Sequence, residues 1–174
     1  FNRMDWSFAT NHFGSGLPPQ HANAALWPVM QPLLADPDLV PKPADIRFAR
    51  DAFYDLLRIR ASTSLLRLRT AEDVAQRLTF LNVGSEQNGA VIVGHLQGQG
   101  LPGAGFAELM YVINADTTDV RLDLPTQQGK AWVLHPVHLA DSAADKRPAV
   151  NAHWDASAGR LLVPPRTALV YVLP

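Results

Sequence analysis

Apolar residues recur along this chain with two different periods, and the change falls near residue 78. Ile46, Ala49, Phe53, Leu56, Leu57 and Arg60 follow an i, i+3, i+4, i+7 pattern, with Arg47, Arg50, Asp51, Asp55 and Arg58 largely elsewhere. That spacing predicts a helix over 45–60 with one face in a core. Upstream, Pro18, Pro19, Pro28, Pro32, Pro37, Pro41 and Pro43 confine any helix to short pieces, because proline removes a backbone donor and clashes with the preceding turn. A helix over 22–34 would hold Pro28 in its first turn and end or kink at Pro32. Thr70-Ala-Glu-Asp73 predicts a capped short helix reaching about Arg77, since the hydroxyl can accept from a free amide of the first turn.

From Leu78 the pattern becomes alternating or solidly β-branched: 78–82, 90–96, 107–114, 120–124, 131–134, 160–163 and 167–173. These read as about seven strands. The segments between them carry turn residues and no helical period, so the sheets must be largely antiparallel and the C-terminal half a β-sandwich. The segment 62–78 lacks linker character, so the two parts are expected to pack firmly.

Composition narrows the function classes. The chain has 174 residues, 47% of them hydrophobic, and a core of that size buries roughly 70% of the unfolded surface. Fifteen Lys and Arg against 16 Asp and Glu leave a formal charge of −1, which provides no basic field for a nucleic acid. There is no cysteine, hence no disulfide framework or thiolate chemistry. No apolar run approaches the roughly 20 residues of a membrane span. The start at Phe1, without methionine or cationic leader, reads as a cut inside a longer chain.

Most chemical motifs fall to simpler readings. Gly98-Gln-Gly-Leu-Pro-Gly103 satisfies G-x-G-x-x-G, but Pro102 and another strand follow where a dinucleotide site needs a helix. His135 and His138, read on a strand, point to opposite faces and hold no metal. Asp116, Asp119 and Asp123 do not fit a calcium loop and read as a turn. Trp27 and Trp132 are expected to pack internally, and nothing positions a Ser/His/Asp set. The N-terminal stretch differs: Phe1-Asn2-Arg3-Met4-Asp5-Trp6 crowds amide, guanidinium, carboxylate and indole together. Such a composition suits an ordered polar loop lining a cleft, where planar donors fork onto vicinal hydroxyls and aromatic rings cover apolar sugar faces, and equally suits a structural Arg–Asp pair with a buried tryptophan.

Four blocks in order, Phe1–Trp6, Asn11-His-Phe-Gly-Ser-Gly-Leu-Pro-Pro19, Trp27-Pro-Val-Met-Gln-Pro-Leu-Leu-Ala-Asp-Pro37 and Phe53-Tyr-Asp-Leu-Leu-Arg-Ile-Arg-Ala-Ser62, resemble the C-terminal part of bacterial pullulanases. These are α-1,6-debranching glycoside hydrolases of the α-amylase superfamily. The resemblance implies an α+β fragment: 1–77 as the end of a catalytic (β/α)8 barrel, its loop and closing helices, and 78–174 as an antiparallel β-sandwich domain. It implies a parent enzyme that hydrolyses branch linkages in pullulan, amylopectin or limit dextrins with retention. All catalytic carboxylates would lie upstream, so this chain alone is expected to be inactive. Arg3, with Asn2 as a weaker neighbour, is the implied sugar-binding residue, while Asp5 and Trp6 would support the loop, Trp6 packed beneath it. The implied partners are an α-glucan and the missing barrel; the implied location is secreted, periplasmic or bacterial cell surface. Calcium is known in the family, but no ligands for it can be placed here, and no cofactor is expected in this chain. The competing reading is a free-standing carbohydrate-binding or interaction β-sandwich. Burial of Leu33, Leu34, Phe53, Leu56 and Leu57 within the chain would favour that alternative.

Overall fold

The computed structural model describes residues 5–174, and the chain divides into two compact units, Phe1–Asp51 and Ala52–Pro174. In the first unit, α1 (Gln20–Asn23) leads through a 3-10 turn into α2 (Trp27–Ala35). The one expected helix is therefore two pieces. Pro28 opens α2, where its missing donor costs nothing, and Pro32 lies within the helix instead of ending it. At the far end Asp36 accepts from the Asp38 amide at 2.9 Å and turns the chain. Helix α3 (Pro43–Ser62) begins in this unit, with the Lys42 amide donating to Asp45 Oδ2 at 2.8 Å, and continues into the second.

The burial of α3 corrects the expected core face. In its second half the buried residues are Asp55 and Ile59. Phe53, Leu56 and Leu57 are exposed to 59%, 38% and 41%. At about 100° per residue the apolar stripe lies roughly opposite the packed face. Asp55 tolerates burial because its carboxylate accepts from the Ala144 amide at 2.7 Å and from Arg58 at 3.1 Å.

Within the second unit α4 (Ala71–Arg77) is capped as expected, Thr70 Oγ1 accepting from the Asp73 amide at 3.0 Å. Eight strands follow: β1 (Leu78–Phe80), β2 (Val91–Gln97), β3 (Glu108–Asn114), β4 (Val120–Asp123), β5 (Val133–Leu134), β6 (His153–Asp155), β7 (Arg160–Val163) and β8 (Thr167–Leu173). They form a five-stranded sheet in the order β1-β2-β3-β8-β5 and a three-stranded sheet in the order β4-β7-β6, with every pairing antiparallel. The β6 strand, three residues long, is the one the hydrophobic pattern does not show.

Strand alternation explains the layering. Val91, Val93, Met110, Val112, Leu169 and Tyr171 from the large sheet share a core with Val120, Leu122, Leu161 and Val163 from the small one. The opposite parity of the large sheet, Leu96, Leu109, Val170 and Val172, packs with Ile59, Leu65 and Ala104. Covered on both faces, β3 and β8 need the nearly unbroken apolar runs they carry. The result is a mixed α and β unit with antiparallel sheets. Among the described residues, none before Leu78 forms a strand.

Two short helices interrupt the β half, α5 (Pro136–Leu139) and α6 (Arg147–Asn151). The first corrects the strand reading of His135 and His138. His135 is the N-cap: its Nδ1 accepts from the Val137 amide at 3.2 Å, and proline at the next position pre-sets the turn. Both imidazoles are buried.

Candidate functional site

The chain around Asp5 is built by one carboxylate. Asp5 accepts from the Ser7 amide (2.9 Å), the Ser7 hydroxyl (2.7 Å) and the amides of Ala9 and Thr10 (3.1 Å each). These bonds, the Ser7 hydroxyl foremost, hold its carboxyl below the usual range. The turn carries Phe8 at φ 58°, with the Arg50 guanidinium 4.5 Å from its ring centre. A second tight turn follows at His12, φ 62°, whose carbonyl accepts from the Ser15 amide (3.1 Å) and hydroxyl (2.6 Å). Two non-glycine residues in left-handed backbone within five positions are a strained arrangement that side-chain bonds must maintain.

Of the proposed site residues, Asn2 and Arg3 lie outside the described residues. Asp5 sits at the centre of the loop's hydrogen bonds. Trp6 is 76% exposed, where the sequence led us to expect it packed beneath the loop. The turn closes through the Asp5 carboxylate and leaves the indole in solvent.

The remaining motifs resolve as structure. Gly98 to Gly103 forms successive turns, with Leu101 N–H donating to Gly98 O at 2.9 Å and Ala104 N–H to Leu101 O at 3.2 Å. A Cβ at Gly98 would overlap the Phe106 carbonyl, so close backbone approach, and no phosphate, accounts for that glycine. Asp116 accepts from the amides of Thr117 and Thr118 at 2.6 and 3.2 Å, an Asx turn. His135 Nε2 donates to Ser62 Oγ at 3.0 Å, and that hydroxyl donates to Ile59 O at 2.7 Å. His138 Nε2 accepts from the Val170 amide at 3.1 Å, and burial pushes its pKa down to about 4. Every nitrogen used this way is unavailable to a metal, and among the described residues no three His, Cys, Asp or Glu cluster as a metal site. Trp132 is buried in the core; Trp27 and Trp154 donate to the carbonyls of Pro18 and Lys130 at 3.0 and 2.8 Å.

Sequence reasoning missed one polar cluster. Glu108 Oε2 meets Lys130 Nζ at 2.6 Å and His95 Nε2 at 2.5 Å. A carboxylate only accepts, so His95 donates from Nε2. The available signal was parity: His95 follows Val91 and Val93 on the inward face, and Glu108 precedes Met110 and Val112.

Comparison with known proteins identifies the family. The family described as alpha-1,6-glucosidases, pullulanase-type, C-terminal, matches residues 8–174. Pullulanase 1, chloroplastic, of Arabidopsis thaliana is 34% identical over 179 residues, covering 99% of this chain and 18% of that protein. PulA from Klebsiella oxytoca superposes with a TM-score of 0.78 at 21% identity, over 99% of this chain and 16% of its own. The maltotriose complex of PulA from Klebsiella pneumoniae gives 0.79 at 20%, over 99% and 18%. These structures share the fold, and the chain spans less than a fifth of each of these relatives. With the family model matching residues 8–174 and a relative 34% identical across 99% of this chain, the chain belongs to the family of pullulanase-type α-1,6-glucosidase C-terminal regions.

Proposed function

We propose that this chain is the C-terminal portion of a pullulanase that hydrolyses α-1,6-glucosidic branch linkages in α-glucans. Residues 1–77 close a (β/α)8 barrel whose upstream part carries the catalytic carboxylates, and 78–174 form the domain that follows. The observation that supports this best is the uncovered apolar surface. Leu33, Phe53, Leu56 and Leu57 are 47%, 59%, 38% and 41% exposed, and Leu34 is half-buried. A self-contained binding module would bury such side chains; a missing barrel would cover them.

In the proposed reaction a carboxylic acid of the barrel protonates the glycosidic oxygen while a second carboxylate forms a glycosyl-enzyme, which water then releases with net retention. This chain contributes one wall of the sugar site. Arg3 forks onto vicinal hydroxyls of a bound glucose, and the Asp5-centred turn follows it two residues on in the sequence. Reducing-sugar release from pullulan tests the reading, measured for the 174-residue chain and for a protein extended upstream through a whole barrel. Activity only in the longer protein, with Arg3→Ala raising KM more than it lowers kcat, is expected. Inactivity of both, with glucan still bound by the short chain, would make it a binding module instead.

A further inference from the structure

A cleft of about 450 Å³ lies at one end of the β2–β3 pair, lined by Gln97, Gln99, Ala107 and Glu108. Gln97 and Glu108 are cross-strand partners and so share a face. The backbone beneath is pinned: Arg77 Nη1 donates to the carbonyls of Gln97 (3.2 Å) and Gln99 (2.8 Å), and the Gly98 amide donates to Ala107 O at 2.8 Å. Behind the cleft, His95 is buried, its ring set edge-on to Trp132 at 5.8 Å. Burial alone would raise Glu108, but hydrogen bonds from Lys130 and His95 outweigh it and keep the carboxyl below its usual range.

The distribution of those bonds leaves the polar groups of the cleft open to a ligand. Lys130 and His95 both bind Oε2, while Oε1 makes no hydrogen bond among the described residues. The side-chain amides of Gln97 and Gln99 have no partner there either, although both backbone carbonyls are held. The cleft therefore presents a fixed carboxylate oxygen that only accepts, beside two amides that each donate and accept. An anion would face the Glu108 charge, and a metal ion would face Lys130 with a single carboxylate to hold it. A neutral polyol matches: one hydroxyl donates to the carboxylate while its neighbours exchange hydrogen bonds with the amides.

We propose that this cleft is a carbohydrate subsite in the β half of the chain, in which Glu108 Oε1, Gln97 and Gln99 hold an uncharged oligosaccharide. That the sugar is an α-glucan rests on the function proposed above. The test is amide chemical-shift titration of the isotope-labelled 174-residue chain with maltotriose, and with cellotriose as the linkage control. Saturable shifts confined to Gln97, Gln99, Ala107 and Glu108 are expected with maltotriose. Gln97→Ala and Gln99→Ala, which remove exposed unpartnered amides and leave the fold intact, should each weaken binding about tenfold, the equivalent of one lost hydrogen bond. Glu108→Gln should weaken it further. Absence of saturable shifts at millimolar sugar, or binding unchanged by both glutamine variants, overturns the subsite. Binding of cellotriose alone at these residues upholds the subsite and counts against the α-glucan reading, whereas pullulan hydrolysis by the extended protein is read out independently.

Discussion

Thr63 offers a sharp test of how the helical segment is fastened to the β-layers. Its side chain is fully buried. Oγ1 donates to Ala104 O at 2.6 Å and accepts from the Leu65 amide at 3.0 Å. Beside it, the Ser64 amide and hydroxyl donate to the carbonyls of Gly103 and Pro102 at 3.0 and 2.8 Å. Together they staple the end of α3 to the glycine-rich turn. Thr63→Val keeps the shape and removes both bonds, leaving a buried carbonyl and a buried amide unsatisfied. Each orphan costs about 1–3 kcal/mol, and the added methyl returns about 1 kcal/mol of burial, so the net loss should be about 1–5 kcal/mol. Thr63→Ser keeps both bonds and loses one methyl, for about 1 kcal/mol. Urea unfolding followed by the fluorescence of buried Trp132 measures both, and hydrogen exchange at the Leu65 amide should accelerate only in the valine variant. A valine variant within about 0.5 kcal/mol of the parent, the range of an ordinary surface change, would refute the staple and leave packing alone as the fastening.

Three other outcomes follow from the same structure. His138 is neutral and accepts from Val170; with its folded pKa at about 4 against 6.5 unfolded, its contribution is complete above pH 6.5 and lost as pH falls towards 4, on the order of 3 kcal/mol. Urea unfolding across that window should show the slope, and His138→Gln should flatten it. Gly98→Ala should cost about 1–3 kcal/mol because the Phe106 carbonyl occupies the methyl's place, whereas Gly100→Ala, left-handed but in open space, should cost about 1 kcal/mol; their unfolding midpoints should rank accordingly. Leu57→Lys should change the stability of the 174-residue chain by less than about 0.5 kcal/mol because the side chain is already exposed, yet should lower the yield and pullulan activity of a protein carrying the whole barrel.

What the sequence made legible was local. Thr70 caps α4 because the hydroxyl and the amide it accepts lie three residues apart, and the antiparallel strands follow from alternation and intervening turns. What it hid was relational. His135 becomes an N-cap only because Val137 and Ser62 supply a donor and an acceptor on either side of its ring. The β6 strand exists through its pairing with β7. The Glu108 cluster needs the β2–β3 register, which sets Gln97 against Glu108 and brings His95 two positions along the same face.

Helix α3 shows why one of these failures is informative. Its apolar stripe is a stronger sequence signal than Asp55 and Ile59, yet the chain packs on Asp55 and Ile59 and leaves Phe53, Leu56 and Leu57 exposed. A helix under selection for this chain alone would gain roughly 1.5–3 kcal/mol for each large side chain turned inward. Retaining three of them outside while burying a carboxylate is costly unless another surface receives the stripe. The satisfied Asp55 fixes which face belongs to the β-layers, since its bond to the Ala144 amide cannot survive rotation of the helix. The hydrophobic period that misled the core assignment is what the proposed barrel would require: one face of α3 packs on the β-layers, and the other is left for the neighbour that the proposal supplies.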